Sequence, residues 1–151
     1  MYGKPVDEIR AKTVGLYFLK NKTNSAILKN AATLQLSYKV TAKFGNALEE
    51  RVMFYVFNVD RVGFVIVAGD DTVIPILGYS DQGNFVSNKM PLQIQKWLQG
   101  YKNEIVYVVS NNIKETTEIN NLWNYHQFQK NSNYSLTSST VSPLIQTRWD
   151  Q

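Results

Sequence analysis

Two apolar runs a short distance apart constrain this chain more than any other feature. Val52-Met53-Phe54-Tyr55-Val56-Phe57 and Phe64-Val65-Ile66-Val67-Ala68 consist almost entirely of β-branched, aromatic and other apolar residues. Such residues pack well on a pleated surface and lose side-chain freedom in a helix. Both runs have the length of a strand, and Asn58-Val59-Asp60-Arg61-Val62-Gly63 between them has the residue types of a hairpin connection. An antiparallel pair is therefore the nucleus of the fold, and the remaining segments must cover its faces.

The segments on either side supply candidates. From Val6 to Lys20, the apolar residues Val6, Ile9, Val14, Tyr17 and Phe18 follow the helical period, and Pro5 just ahead suits a helix start. Asn21 to Ser25 closes that helix with turn-type residues. Thr33 to Thr41 switches to a period of two, with Leu34, Leu36, Tyr38 and Val40 alternating with Gln35, Ser37 and Lys39, which predicts a half-buried strand. Phe44-Gly45-Asn46-Ala47 turns the chain. After the hairpin, Gly69-Asp70-Asp71 makes another turn before a strand from Val73 to Tyr79, where Pro75 favours an edge position or a bulge.

Asn88 to Val109 predicts a longer helix, with Asn88 as cap and Pro91 in its first turn. Its apolar stripe is Ile94, Trp97, Leu98, Tyr101, Ile105 and Val108. The end is ambiguous, because Ile105 to Val109 suits a strand as well. A third helix is predicted from about Thr117 to Lys130, capped by Thr116 or Thr117, with Ile119, Leu122, Trp123 and His126 on one face. The expected fold class is α+β: an antiparallel sheet of about four strands with two or three helices packed on it, then a flexible C-terminal tail.

The tail follows from composition. Asn131-Ser132-Asn133-Tyr134-Ser135-Leu136-Thr137-Ser138-Ser139-Thr140 is almost entirely small and polar, and buries too little apolar surface to offset its ordering entropy. Val141 to Gln151 turns apolar again, with Leu144, Ile145 and Trp149. The expected organisation is a domain over 1–130, a linker over 131–140 and the opening of a second domain over 141–151.

Catalytic chemistry finds little support. The 151 residues include no cysteine and a single histidine, His126. A thiol nucleophile is excluded within the chain, and a metal site of ordinary spacing cannot be assembled. His126 beside Leu122 and Trp123 reads as a packed residue. Asp70-Asp71 reads as turn chemistry before it reads as an acid–base pair. The aromatic set Phe54, Tyr55, Phe57 and Phe64 is expected to be core on one side of the sheet and a docking face on the other. The net charge of +4 is spread along the chain without a basic run, so no nucleic acid partner is expected. No stretch of about 18 apolar residues exists, so no membrane partner is expected either. No cofactor is expected.

A more specific signal lies in the centre. Tyr55-Val56-Phe57-Asn58-Val59 leads to Gly63-Phe64-Val65-Ile66-Val67-Ala68-Gly69-Asp70. Then come Ile76-Leu77-Gly78-Tyr79-Ser80 and Gly83-Asn84-Phe85. In this order they resemble the pro-region of the streptopain family of secreted bacterial cysteine peptidases, which have a papain-like catalytic domain. Val141-Ser142-Pro143-Leu144-Ile145-Gln146-Thr147-Arg148-Trp149-Asp150-Gln151 is similar to the start of the mature peptidase in that family. The resemblance spans essentially the whole chain. It is strongest from Tyr55 to Phe85 and weakest from Asn111 to Thr140.

The resemblance implies a pro-region that docks on the catalytic domain of its own precursor, keeps it inactive through a loop and assists its folding. The matching loop is Val86-Ser87-Asn88-Lys89-Met90-Pro91-Leu92-Gln93. The family's blocking asparagine has no counterpart in the matching stretch Met90 to Gln93, which is one residue longer, so that role is not carried to a side chain. Processing is expected in the linker bounded by Lys130-Asn131 and Ser139-Thr140-Val141. The location implied is secreted, periplasmic or cell-surface, with the leader removed. A free-standing inhibitor acting in trans on such a peptidase is the first alternative, and a surface binding or adhesion module the second.

Overall fold

The two central runs form the expected hairpin. In the computed structural model, which describes residues 4–22, 34–44, 50–59, 63–80, 83–128 and 147–148, β2 is Glu50–Val59 and β3 is Gly63–Ala68. They pair antiparallel from Phe54 opposite Ala68 to Val59 opposite Gly63. β1 (Gln35–Lys43) pairs antiparallel with β2, and β4 (Ile76–Ser80) antiparallel with β3. A two-residue strand, β5 (Thr147–Arg148), lies parallel to β4, so the sheet order is β1-β2-β3-β4-β5.

Three helices complete the α+β fold: α1 (Glu8–Lys22), α2 (Leu92–Ser110) and α3 (Thr117–Phe128). The register assigns the faces. Tyr55 and Phe57 sit opposite Val67 and Val65, and Gly15 of α1 comes down on those two valines. Phe54 and Val56 sit opposite Ala68 and Ile66, and Phe54 meets the ring of Tyr101 on α2 at 6.4 Å. Helices therefore cover both faces. α3 packs against α1, where Arg10 lies over the Trp123 ring at 4.9 Å and Tyr17 meets Tyr125 edge-on.

This arrangement corrects the expectation that one side of the β2–β3 aromatic set is a docking face. Phe54, Tyr55, Phe57 and Phe64 are all buried, as is every residue of β3. A period of two shows that a strand has two faces, but does not tell whether water or a helix covers the second. Burial of large apolar side chains on this scale, at about 1.5–3 kcal/mol each, is the main stabilising force of the sheet.

Several boundaries shift for identifiable reasons. The helix predicted from Val6 starts at Glu8, because Asp7 caps it: the Arg10 amide donates to Asp7 Oδ1 at 2.7 Å. Pro5 and Val6 instead join the β3–β4 turn. Pro5 bridges to Asp70, the Val6 amide donates to the Gly69 carbonyl, and the buried Tyr55 hydroxyl donates to the Val6 carbonyl. The strand expected from Thr33 runs two residues later, over Gln35–Lys43.

The strand expected from Val73 begins only at Ile76. Pro75 lies just before it, its carbonyl accepts from the Ala68 amide, and the β3–β4 register then skips Leu77 on the β4 side. The register is thus irregular two residues beyond Pro75, and β4 is not an outer edge along its whole length, since β5 lies beside Gly78 and Tyr79.

Asn88 does not cap α2. It lies in a single 3₁₀ turn, Ser87–Lys89, and Pro91 occupies the N-cap without a side-chain bond. The Ile105–Val109 ambiguity resolves as helix, because Ile105 and its neighbours continue the stripe that faces the sheet. Thr116 caps α3 through a bond from the Ile119 amide. Residues 129–146, which include the predicted linker from Lys130 to Val141, lie outside the described residues.

Candidate functional site

The segment between β4 and α2 leaves the sheet at Ser80 and is pinned again at Phe85. The pin is Asn58, the polar residue near the end of β2. Its Nδ2 donates to the Phe85 carbonyl at 3.0 Å, and its Oδ1 accepts from the Phe85 amide at 2.8 Å. Ser37 Oγ on β1 donates to the same carbonyl at 3.1 Å. The Phe85 ring is buried against Tyr38 of β1 and Phe64 of β3, with centroids 5.6 and 5.8 Å away. A side-chain amide that satisfies both backbone groups of one residue fixes that residue as a ladder neighbour would.

Beyond the pin the chain turns outward. Val86 is 48% exposed, Ser87, Asn88, Lys89, Pro91 and Gln93 are exposed, and Met90 is half-buried. At the far end Gln95 Nε2 donates back to the Met90 carbonyl at 2.9 Å, fastening the loop to the first turn of α2. Leu92 and Gln93, predicted as loop, open that helix, and Leu92 is 64% exposed. The result is a short span with both ends tied and two apolar side chains, Val86 and Leu92, held in water.

Two cavities flank the span. One of about 410 Å³ lies between β1 and α2, lined by Tyr38, Val40, Met90 and Leu98 together with Gln99 and Lys102. The other, of about 180 Å³, lies under the loop between Phe64, Phe85, Met90 and Ile94. From Gly83 to Gln93 the only charge is Lys89. Among the described residues, this surface carries exposed apolar side chains and one cation rather than an acid–base pair.

The family-motif residues play a different part. Gly63, Phe64, Val65, Ile66 and Val67 are the buried strand β3. Gly69 sits where a Cβ would lie 2.1 Å from the Val52 carbonyl oxygen, so only glycine fits. Asp70 is buried and accepts from Arg51 Nη2 at 2.7 Å, from the Thr72 amide at 3.0 Å and from the Thr72 hydroxyl. Desolvation raises its pKa, opposed by the Thr72 bonds and the Arg51 charge. Asp70 thus performs the turn chemistry expected of it, and adds an ion pair that ties the turn to β2.

Gly78, Tyr79 and Ser80 form most of β4, and Tyr79 packs on Phe18. Gly83 takes a positive φ of 79° on the way to Phe85. The motif is a scaffold that delivers Phe85 to Asn58. Asn58 and Ser37 are the supporting residues that the prediction missed as such. Their signal was a polar side chain interrupting, or alternating with, apolar strand positions.

His126 is buried among Tyr17, Phe18 and Tyr125, with burial lowering its pKa to about 4. It is far from a poised base.

The family model described as Spi protease inhibitor matches residues 3–105. The chain is 30% identical over 106 residues to the thiol protease/hemagglutinin PrtT of Porphyromonas gingivalis. The match covers 70% of this chain and 12% of that protein. No solved structure matches.

Proposed function

The chain belongs to the Spi protease inhibitor family, and on that premise we propose that it is the pro-region of a papain-like cysteine peptidase, which it keeps inactive by docking the Val86–Gln93 span on the catalytic site. The observation that carries this reading is the Asn58–Phe85 clamp. It presents Val86 and the entry to α2 as a preformed surface, so that little ordering remains to be done on binding. Exposed apolar side chains on a rigid support, with one lysine and no acid, fit a partner site that closes over them and excludes water.

The pro-region is favoured over a free-standing inhibitor acting in trans by the match to a thiol protease, in which the aligned segment is a small part of a long chain. Processing belongs to the linker between Lys130 and Val141. A secreted or cell-envelope location follows from such a precursor.

The test is inhibition by the purified chain of the mature peptidase from the same precursor, followed with a fluorogenic peptide. Inhibition at or below micromolar concentration is expected. Val86→Asp and Leu92→Asp, both at exposed positions, are expected to weaken it at least about tenfold by placing a charge in a desolvated contact. If both variants inhibit like the parent, the loop is not the contact. If the parent does not inhibit at all, a surface-binding role takes precedence.

A further inference from the structure

Parallel strands need a long crossover between them, and β4 and β5 are joined by one that runs through α2, α3 and residues 129–146. What arrives at the end of it is the segment expected from the sequence to lie beyond the pro-region domain. Thr147 pairs with Gly78 and Arg148 with Tyr79, on the side of β4 that β3 leaves open. Thr147 and Arg148 belong to the Val141–Gln151 segment, which resembles the opening of the mature peptidase.

We propose that the outer edge of β4 is a docking strand for the catalytic domain, which adds its opening segment to the pro-region sheet as a parallel strand. This inference rests on the pro-region reading above. The chemistry is main-chain pairing of an extended segment with an open sheet edge, which needs no particular side chains. Gly78 suits such an edge, because a strand glycine allows close backbone approach.

The contact lies on the catalytic-domain side of the Lys130–Val141 linker. Cleavage of the linker therefore leaves β5 on the enzyme and the β4 edge on the pro-region, with the pairing between them intact. Release requires the strand to peel away as well as the bond to be cut.

One consequence separates this contact from the inhibitory loop. In the 151-residue chain its own β5 occupies the edge, so a peptidase added in trans must displace it before adding its own segment. Thr147→Pro removes an amide and disfavours the pairing without touching the loop. The experiment compares the parent and Thr147→Pro as inhibitors of the mature peptidase, and of the same peptidase trimmed of its opening segment. Arg148→Pro serves as a second variant. Thermal melts, with cross-strand NOEs between 78–79 and 147–148, confirm an intact fold and a vacated edge.

The variants are expected to bind the intact enzyme about fivefold more tightly than the parent, as suits the removal of a competitor held by one or two backbone bonds. The gain is expected to vanish on the trimmed enzyme. Equal inhibition by parent and variants on the intact enzyme would overturn the docking strand while leaving the pro-region reading in place. Failure of every form to inhibit either enzyme overturns that reading, and this inference with it.

Discussion

The side-chain amide of Asn58 grips both backbone groups of Phe85, giving and receiving one hydrogen bond across a part-buried gap between β2 and the segment after β4. In Asn58→Ala the Phe85 carbonyl keeps its bond from Ser37, whereas the Phe85 amide loses its acceptor. The expected cost is about 1–3 kcal/mol in urea denaturation, with a larger loss of inhibition than of stability. A variant that melts with the parent and inhibits equally well would show that the loop holds its shape unaided.

Three glycines give a graded test of packing. At Gly69 a methyl group would meet the Val52 carbonyl oxygen at 2.1 Å, backbone that cannot move aside. Gly69→Ala is expected to cost about 3 kcal/mol or more. At Gly15 the neighbours are side-chain atoms of Val65, Val67 and Leu34 at 3.0 to 3.3 Å, so helix propensity and crowding oppose each other and a smaller loss is expected. At Gly100 in α2 nothing lies within 4 Å, and Gly100→Ala is expected to stabilise by about 0.5–1 kcal/mol. Chemical denaturation of the three variants reads the order directly, and any other ranking contradicts the close approaches described.

Arg51 is the cation that compensates the buried Asp70 carboxylate. Arg51→Met leaves that carboxylate with Thr72 alone and is expected to cost about 2–3 kcal/mol at neutral pH, since Arg51 itself is partly solvated. The penalty applies to the ionised form. Desolvation already raises the Asp70 pKa, and losing Arg51 raises it further. The deficit relative to the parent is therefore expected to shrink as the pH is lowered and the carboxyl takes up its proton. A deficit independent of pH would assign the cost to lost packing of the Arg51 stem.

His126 sets a second pH dependence, of known sign. Burial lowers its pKa from 6.5 to about 4, and Nδ1 has no hydrogen-bond partner among the described residues. Between these values the unfolded chain binds the proton and the folded chain does not. Stability is therefore fully present above about 6.5, falls as the pH drops towards 4, and loses nothing more from this group below that. The total is on the order of 3 kcal/mol. Denaturation at neutral pH and near pH 4.5 should show a loss in the parent that is reduced in His126→Phe, which keeps an aromatic ring between α1 and α3. Equal losses in both proteins would rule His126 out as the cause.

The elements legible in the sequence were those whose signal is local. The β2–β3 hairpin and the α2 stripe from Ile94 to Ile105 follow from residue type and period alone. Pro5 and Val6 were misread because their partners, Gly69 and Asp70, lie far along the chain and no local pattern reveals them. Asn88 looked like a cap because asparagine favours that position, yet the chain makes one 3₁₀ turn first and α2 begins after Pro91. The aromatic strands gave no sign that helices cover both faces. The loop itself was located through its resemblance to a known family, while its support at Ser37 and Asn58 depends on a long-range pairing register. The parallel partner of β4 was equally invisible, because two residues carry no period.

The sheet topology also fixes an order in time. β1 to β4 are consecutive neighbours joined through 44–49, 60–62 and 69–75, so each pairing closes a short loop at a small cost in closure entropy. β5 can join only after everything through residue 146 has been synthesised. Until then the β4 edge stands open, a template waiting for one later segment and exposed meanwhile to any other strand that reaches it.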